Sequence, residues 1–426
     1  MRRLRRDPLG LFVELARRDP DIAEMRLGRH PFFLVCDPVL VGAVLVERSR
    51  EFASETIAWG GVRAKPPSPP PFGLLRSSDP LVHREARRML QPAFSRARLA
   101  ACGSELARYV DESASRWQHG TVVDGTRWMT RLTIELLARS LFGTRLGGRA
   151  EPLVDDLETL LGAMETVTSW SADTADLVHL RRLARLRDAY ERVREFCAEL
   201  LAEKRDEGGE TVIAALVAAG GGLEDDALTA EVFLVLLAGF KTTASALAWA
   251  WSLLAEHPAI EARVQAEADR ELGDLPPAGD PLPELPLARA VFTETIRLYP
   301  PSWYIGRYAV ETLELGGREI PAGASVWISP FVLHHDPRWF ARAETFEPDR
   351  WLGEPDTDRP RWAFIPFGAG ARRCLGETLA WAELAAVLPV IARRWRLRAV
   401  DPGRPRALPG PTLRAEGGPR LTLARR

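Results

Sequence analysis

Lysine is almost absent from this chain of 426 residues: it stands only at Lys65, Lys204 and Lys241, while arginine is abundant. Cysteine is scarce as well, with Cys36, Cys102, Cys197 and Cys374 far apart and no pair spaced Cys-x-x-Cys. That spacing excludes a zinc ribbon or a disulfide framework, and a reducing, cytoplasmic setting is expected. An excess of positive charge is also missing. The formal net charge is -1, whereas a nucleic-acid binder concentrates basic side chains against phosphates. Long apolar runs are lacking too. The most apolar stretch, VFLVLLAGF at 232 to 240, lies between Glu231 and Lys241 and falls well short of the roughly 20 residues that cross a bilayer. The start, MRRLRRDPLGLFVELARRDPD, is charged like a secretory leader, but Pro8, Glu14 and Arg17-Arg18-Asp19 interrupt it. A surface helix is predicted there, in a soluble protein with no membrane anchor.

What is present is mostly helical. LAACGSELARYVDESASRW, DAYERVREFCAELLAEKRDEG, PAIEARVQAEADRELG and PLARAVFTETIRLY carry apolar residues three and four apart, the pattern of amphipathic helices. Strand patterns are few: IAEMRLGRHPFFLVCD near the start, YAVETLELGGREIPAGASVWISP with a Gly316-Gly317 hairpin turn, and RLTLARR at the end. The proline-rich KPPSPPPFG cannot be helical, and EGGETVIAALVAAGGGLEDD brackets a short helix with glycine. No internal repeat occurs, and neither loop is long enough to separate domains. The reading is one mainly α domain over 1–426 with a minor β region, strands at about 20–60 and 305–330, and a helical core at about 80–300 and 374–396.

The sharpest local pattern is FIPFGAGARRCLGETLAWAEL, residues 364 to 384. Cys374 sits in a glycine-bearing loop running into a helix that should begin near Leu375, so its sulfur would lie beside helix N-terminal amides, which favour a thiolate. Gly368, Gly370 and Gly376 permit backbone shapes and approaches that a side chain would block. Taken alone, Cys374 could equally be a buried free cysteine beside a turn. As a hydrolase nucleophile it would need a partner histidine and an oxyanion site, and nothing singles out any of the seven histidines.

Phe367, Gly370, Arg372, Cys374 and Gly376 match Phe-x-x-Gly-x-Arg-x-Cys-x-Gly, and on these residues the chain resembles the cytochrome P450 family of haem-thiolate monooxygenases. ETIR supplies the family's Glu-x-x-Arg pair as Glu294 and Arg297, one helical turn apart, and FEPDRW supplies its third partner as Arg350. The resemblance extends over almost the whole chain. It implies the family's fold, with haem b between a long distal helix and the helix after the cysteine loop. It also implies Cys374 as the iron ligand and His83, Arg87, Arg307 and Arg372 at positions that hold haem propionates, where guanidinium and carboxylate form charge-assisted bonds. Phe367, Gly368 and Gly376 belong to the same cofactor-binding loop.

Within AGFKTTAS, Ala238, Gly239, Phe240, Lys241 and Thr242 align with the family's distal motif, Ala/Gly-Gly-x-acid-Thr. The resemblance makes Gly239 the point of close approach to the iron and Thr242 the donor to bound oxygen or to a water beside it. Lys241 departs from the pattern. A lysine is normally a fixed cation, unlike the acid that could relay protons. Three accounts follow: Lys241 turns away and pairs with an acid elsewhere, substrate organises the proton path, or oxygen activation is altered, as in peroxide-driven turnover.

By family position the substrate pocket takes Trp59 and Phe72 from the 55 to 80 loop, part of the 160 to 185 segment, Phe240 and Ala244, Trp303 and Tyr304, and Leu413 in the last hairpin. Apolar and aromatic lining suits a terpenoid, polyketide or aromatic metabolite. The bias of arginine over lysine suggests a GC-rich bacterial host engaged in secondary metabolism. The implied reaction inserts one oxygen atom of O2, with electrons from a separate ferredoxin and ferredoxin reductase docking on Arg84, Arg88, Arg96, Arg98 and Arg373. The alternative is a protein of the same fold that binds a ligand with atypical or no oxygenation.

Overall fold

The computed structural model describes residues 2–28, 30–54, 73–77, 79–168, 177–205, 211–219, 224–273, 275, 279–354, 356–401 and 403–426. Helices dominate, and Asp225–Glu256, hereafter the long helix, runs through their centre. Its segment from Leu228 to Leu254 is mostly buried, so its apolar character is nearly continuous around the axis rather than one-sided. It packs most extensively on Gly125–Phe142, and also on Leu177–Lys204 and Pro286–Leu298. Trp249 stacks flat on Tyr299 at 3.7 Å between ring centres, fixing its C-terminal half. The helix is long and apolar enough to cross a membrane by length and composition, with mean hydropathy 1.6 over its best window, but 78% of that window is buried inside the fold. Counting only the uninterrupted apolar run understated it, because the helix continues past Lys241 and Thr242.

Each predicted helix forms: Arg96–Ser115, Leu177–Lys204, Pro258–Leu272 and Pro286–Leu298 cover the four periodic segments, and Val212–Ala219 is the short helix between glycines. Asp79 caps Pro80–Leu90 by accepting from Leu81 and Val82, with proline at the first helical position, where its missing N–H costs nothing. The N-terminal segment forms Arg2–Arg6 and Pro8–Arg18, and the second buries Leu9, Phe12 and Leu15 against the molecule.

The strands gather at one side. Ile22–Leu27 pairs antiparallel with His30–Val35, which runs parallel to Ser325–Ile328; Ile305–Ala309 and Phe52–Ser54 complete a five-stranded sheet. Gly316 and Gly317, both at positive φ, turn the Leu313–Leu315/Arg318–Ile320 hairpin as its sequence predicts. The terminal strand Arg420–Arg425 lies between Trp395–Ala399 and a short strand, Val122–Asp124, whose three residues carry no readable pattern. The sheet holds the 305–309 strand, and with it Arg307, against the helical body.

The cysteine loop is pressed onto the helical segment Ala43–Glu47. Gly370 has φ +70°, and a Cβ there would penetrate the Leu45 carbonyl oxygen. Gly370→Ala is therefore expected to lower stability by at least about 2 kcal/mol, read as a fall in thermal midpoint. An unchanged midpoint would show that the loop has room this packing denies.

Candidate active site

A cavity of about 540 Å³ lies between the long helix and the helix Glu377–Arg394, hereafter the cysteine helix. Its floor is the loop before the cysteine helix. The Cys374 amide donates to the Phe367 carbonyl at 2.9 Å, folding the loop back on itself, and Gly368 takes φ +71° at the bend. The cysteine helix starts at Glu377, with Gly376 as its cap, two residues later than the sequence suggests. Gly376 has ordinary backbone angles, and a Cβ there would sit 3.9 Å from Cys374 Sγ, so no steric demand imposes this glycine.

Cys374 lines the cavity and exposes surface to it, with other protein atoms packed closely around. Burial pushes its thiol up, while the Gly376 N–H and the charges of Arg87 and Arg373 pull the other way without overcoming it. The helix-terminus setting expected to favour a thiolate is present but outweighed. A bound metal cation would supply the missing charge, since a coordinating thiol is deprotonated outright.

Cations line one end of the cavity. Arg307, on the sheet, is held below the usual guanidinium range, at about 10, by burial and then by the charge of Arg372. Burial lowers Arg372 too, helped by the charge of Arg76, and burial lowers Arg76 itself. No carboxylate pairs with any of these three arginines among the described residues. Three mutually repelling guanidiniums facing one cavity are a built receptor for anions, carboxylates above all. Arg76 was not legible in sequence: it ends a one-turn 3-10 segment, Leu74–Arg76, among dozens of other arginines. His83 reaches the same wall, but its ring nitrogens face the Leu75 carbonyl at 2.7 Å and the Ala371 carbonyl at 3.4 Å. Arg87 donates to the Arg373 carbonyl at 2.6 Å, on the cysteine side.

Opposite Cys374, the long helix presents Val235, Ala238, Gly239, Thr242, Thr243 and Ala246. Thr242 Oγ1 donates to the Ala238 carbonyl at 3.0 Å, a back-bond that competes with the helix ladder. Gly239 has a second use beside opening the cavity. A Cβ there would lie 2.6 Å from Leu137 Cδ1, so glycine lets the long helix sit down on Gly125–Phe142. Lys241 turns away from the cavity, and its Nζ donates to Glu158 Oε1 at 2.5 Å. Arg127 joins the same acidic helix face through Glu151, Asp155 and Glu158.

The family model for cytochrome P450 matches residues 2–415. The chain belongs to the cytochrome P450 family. It is 35% identical to cyclooctatin synthase of Streptomyces melanosporofaciens, over 97% of this chain and 90% of that protein. It is 36% identical to cyclooctat-9-en-7-ol 5-monooxygenase of the same organism, over 92% and 84%. The crystal structure of a cytochrome P450 from Thermus thermophilus superposes with TM-score 0.77 at 28% identity, covering 99% of this chain and 96% of that one. The protein is thus a monooxygenase whose cofactor is haem with an axial cysteine thiolate. The residues present fit that group: a thiol on one wall, a close-packed helix opposite, and uncompensated arginines where carboxylates would lie.

Behind the cysteine loop of this cytochrome P450, Glu294 and Arg297 are both fully buried and joined by two bonds of 2.8 Å. Burial pushes the Glu294 carboxyl up, but the bonds and charges of Arg297, with Arg350 and Trp351, outweigh it and hold the carboxyl below its usual range.

The apolar pocket differs from expectation. Tyr304 lines the cavity, stacked on Trp327 at 4.5 Å. Phe240 and Ala244 do not: they lie two positions either side of Thr242, hence on the far side of the helix, and both are fully buried core. Trp303 packs on Phe12 and donates to the Gly410 carbonyl at 2.8 Å, also away from the cavity. Leu413 is core as well, its carbonyl accepting from Ser245 at 2.7 Å and so pinning the last hairpin to the long helix. Leu75, Leu234, Val235, Phe292, Ile296 and Ile305 provide the apolar surface instead. Trp59 and Phe72 lie outside the described residues, as do the side chains from 163 to 182. Of the expected docking arginines, Arg84, Arg88 and Arg96 are exposed; Arg98 donates to the carbonyls of Ala93 and Ser140, and Arg373 is tied to Glu377 by two bonds of 2.6 Å.

Glu231, also unpredicted, sits under the Gly73–Leu75 strap, accepting from the amides of Leu74 and Leu75. Burial pushes its carboxyl up to about 7 despite those two bonds. A raised acid keeps its proton in the folded state longer than in the unfolded one, so this group makes unfolding free energy fall as pH rises from about 4.5 through 7. Glu231→Gln should flatten that part of a urea-unfolding pH series. The Lys241–Glu158 pair allows a separate check. Each charge reversal alone should destabilise, and Lys241→Glu with Glu158→Lys should recover roughly 1 kcal/mol of coupling in a double-mutant cycle. Additive single effects would mean that the pair contributes nothing.

Proposed function

We propose that this cytochrome P450 acts as one catalytic unit on an apolar carbocyclic terpenoid, inserting one oxygen atom of O2 with electrons from a separate ferredoxin and its reductase. The observation carrying this reading is the mainly apolar cavity between Cys374 and the Gly239–Thr242 turn. Relatives whose names concern cyclooctatin and cyclooctat-9-en-7-ol, the latter an alkene alcohol, support the substrate class. When bound, the haem supplies dioxygen activation, its thiolate ligand favouring O–O cleavage.

The protein's own groups do the rest. Cys374 would hold the haem iron through its thiolate, and Arg76, Arg307 and Arg372 would pair with the propionate carboxylates. His83, with both ring nitrogens engaged, braces the Leu74–Arg76 strap against the cysteine loop rather than serving as a free donor. Thr242 trades its Ala238 back-bond for a water or oxygen in the cavity, while Lys241 stays with Glu158 and takes no part in proton traffic. Arg84, Arg88 and Arg96 form the exposed basic face for an acidic electron donor.

A second reading, a ligand-binding protein with atypical or no oxygenation, is favoured by the locked Lys241. Gly239 does not argue against it, because helix packing already requires that glycine. Titrating the ferric protein with cyclooctat-9-en-7-ol, other terpenoid alkenes, polyketides and aromatics tests both. A shift of the haem band to the high-spin form with terpenoids, followed by an oxygenated product with surrogate ferredoxin, is the expected result. A shift confined to another class would defeat the terpenoid assignment, and binding without product would leave the second reading standing. Reduction by the ferredoxin should slow as salt rises; a salt-independent rate would remove the basic docking face.

A further inference from the structure

Glu383 on the cysteine helix and Glu231 on the long helix are both fully buried, and among the described residues no charged side chain acts on either. Neither oxygen of Glu383 has a regular hydrogen-bond partner there, whereas Glu231 uses one oxygen twice. Its Oε1 accepts from the amides of Leu74 and Leu75, the latter at 3.3 Å, while Oε2 is left without a partner. A leucine at 231 would cost less to bury, but both amides of the strap would then lose their acceptor.

The strap is shaped to this acid. Gly73 has φ +77°, and a Cβ there would lie 2.8 to 3.0 Å from the Glu231 carboxyl, so glycine alone lets the chain cross so closely. Other groups fasten the strap from the cysteine side. The His83 ring meets the Leu75 carbonyl at 2.7 Å, and Arg372 Nη2 donates to the Ser77 carbonyl at 2.7 Å. Residues 73–77 thus bridge the long helix and the cysteine loop, and they carry Arg76, which lines the cavity. Arg76 has no carboxylate of its own among the described residues, and its charge and that of Arg372 oppose each other. A side chain so placed would swing away from its neighbour unless its backbone were held.

We propose that Glu231 is the positioning residue of Arg76: by holding the Leu74 and Leu75 amides it fixes the strap that aims Arg76 at the haem carboxylates, and so sets how tightly the cofactor is retained. The inference rests on the reading of Arg76 as a propionate partner and is independent of the substrate. Oε1 accepts whether the carboxyl is ionised or neutral, so the position requires an acceptor and not a charge.

The test uses the ferric holoprotein with excess apomyoglobin as haem acceptor, following the rate of haem transfer, and reads the haem reduction potential on the same proteins. Arg76→Gln should speed haem loss several-fold and lower the potential, because a cation beside the propionates favours the reduced, more negative haem. Glu231→Ala should move both in the same direction, and Glu231→Gln, which keeps an acceptor, should behave as wild type. The double variant Glu231→Ala with Arg76→Gln should lose haem no faster than Arg76→Gln alone. Gly73→Ala, which pushes the strap off the carboxyl without altering the long helix, supplies the same comparison should Glu231→Ala fail to fold. Additive effects in the double variant would make Glu231 a support of the fold only and overturn the inference. So would wild-type haem retention in Glu231→Ala beside fast loss in Arg76→Gln. Unchanged retention and potential in Arg76→Gln would instead overturn the propionate reading of Arg76, and the inference with it.

Discussion

One carboxylate organises the ground on which the cysteine loop stands. Glu294 accepts from Arg297, from Arg350 Nε at 3.0 Å, from Trp351 Nε1 at 2.7 Å and from the Glu347 amide at 3.0 Å. Arg297 then spends its remaining donors on the carbonyls of His334, Ala343 and Thr345. Between them the two side chains bind the irregular stretch from 334 to 351, which has little regular secondary structure to hold it. A buried ion pair is a weak source of net stability, but each member becomes expensive once the other is gone, by roughly 3 to 5 kcal/mol. The constraint is thus one of specificity: this stretch has one arrangement that leaves no buried charge unpaired. His334 extends it toward the site, accepting from the Ile365 amide at 3.0 Å just before the cysteine loop.

The loop inherits that fixed position, and the long helix meets it from the other side. Leu137 forces the glycine at 239, and Glu158 draws Lys241 to the flank. The lysine that looked anomalous in a buried helix is therefore partnered rather than buried alone. Its Nζ leaves the apolar core for an acid at an intermediate depth, a familiar way for a long cationic side chain to keep its charge. Of the three accounts open from sequence, the pairing with a distant acid is the one this geometry favours.

Legibility followed sequence separation. Helices whose signal repeats every three or four residues were readable, as was the Gly316-Gly317 hairpin, because both are local. The cysteine loop and the Glu294–Arg297 pair were readable because their spacing is short and chemically unusual. What failed was direction and long-range pairing. Phe240, Ala244, Trp303 and Leu413 have the right chemistry for a pocket, but helix phase and the Gly410 and Ser245 contacts turn them into core. Arg76 escaped because an arginine's role depends on whether a carboxylate lies nearby, which only the fold decides. Glu231 and Glu383 escaped for the converse reason: a lone glutamate in a helix reads as solvated surface until its surroundings are known.

The charges of the site sort by depth and by neighbour. Arginines crowd one end, where their repulsion is relieved only by anions, and no ionised acid shares the cavity wall with them among the described residues. An acid placed there would pair with an arginine, drop well below the usual carboxylate range and lose any capacity to donate. Glu383 avoids that fate by lying behind the wall, on the cysteine helix, with a hydroxyl rather than a guanidinium as its neighbour. Its proton is kept by the same dehydration that makes its charge costly, which pushes the carboxyl up to about 8.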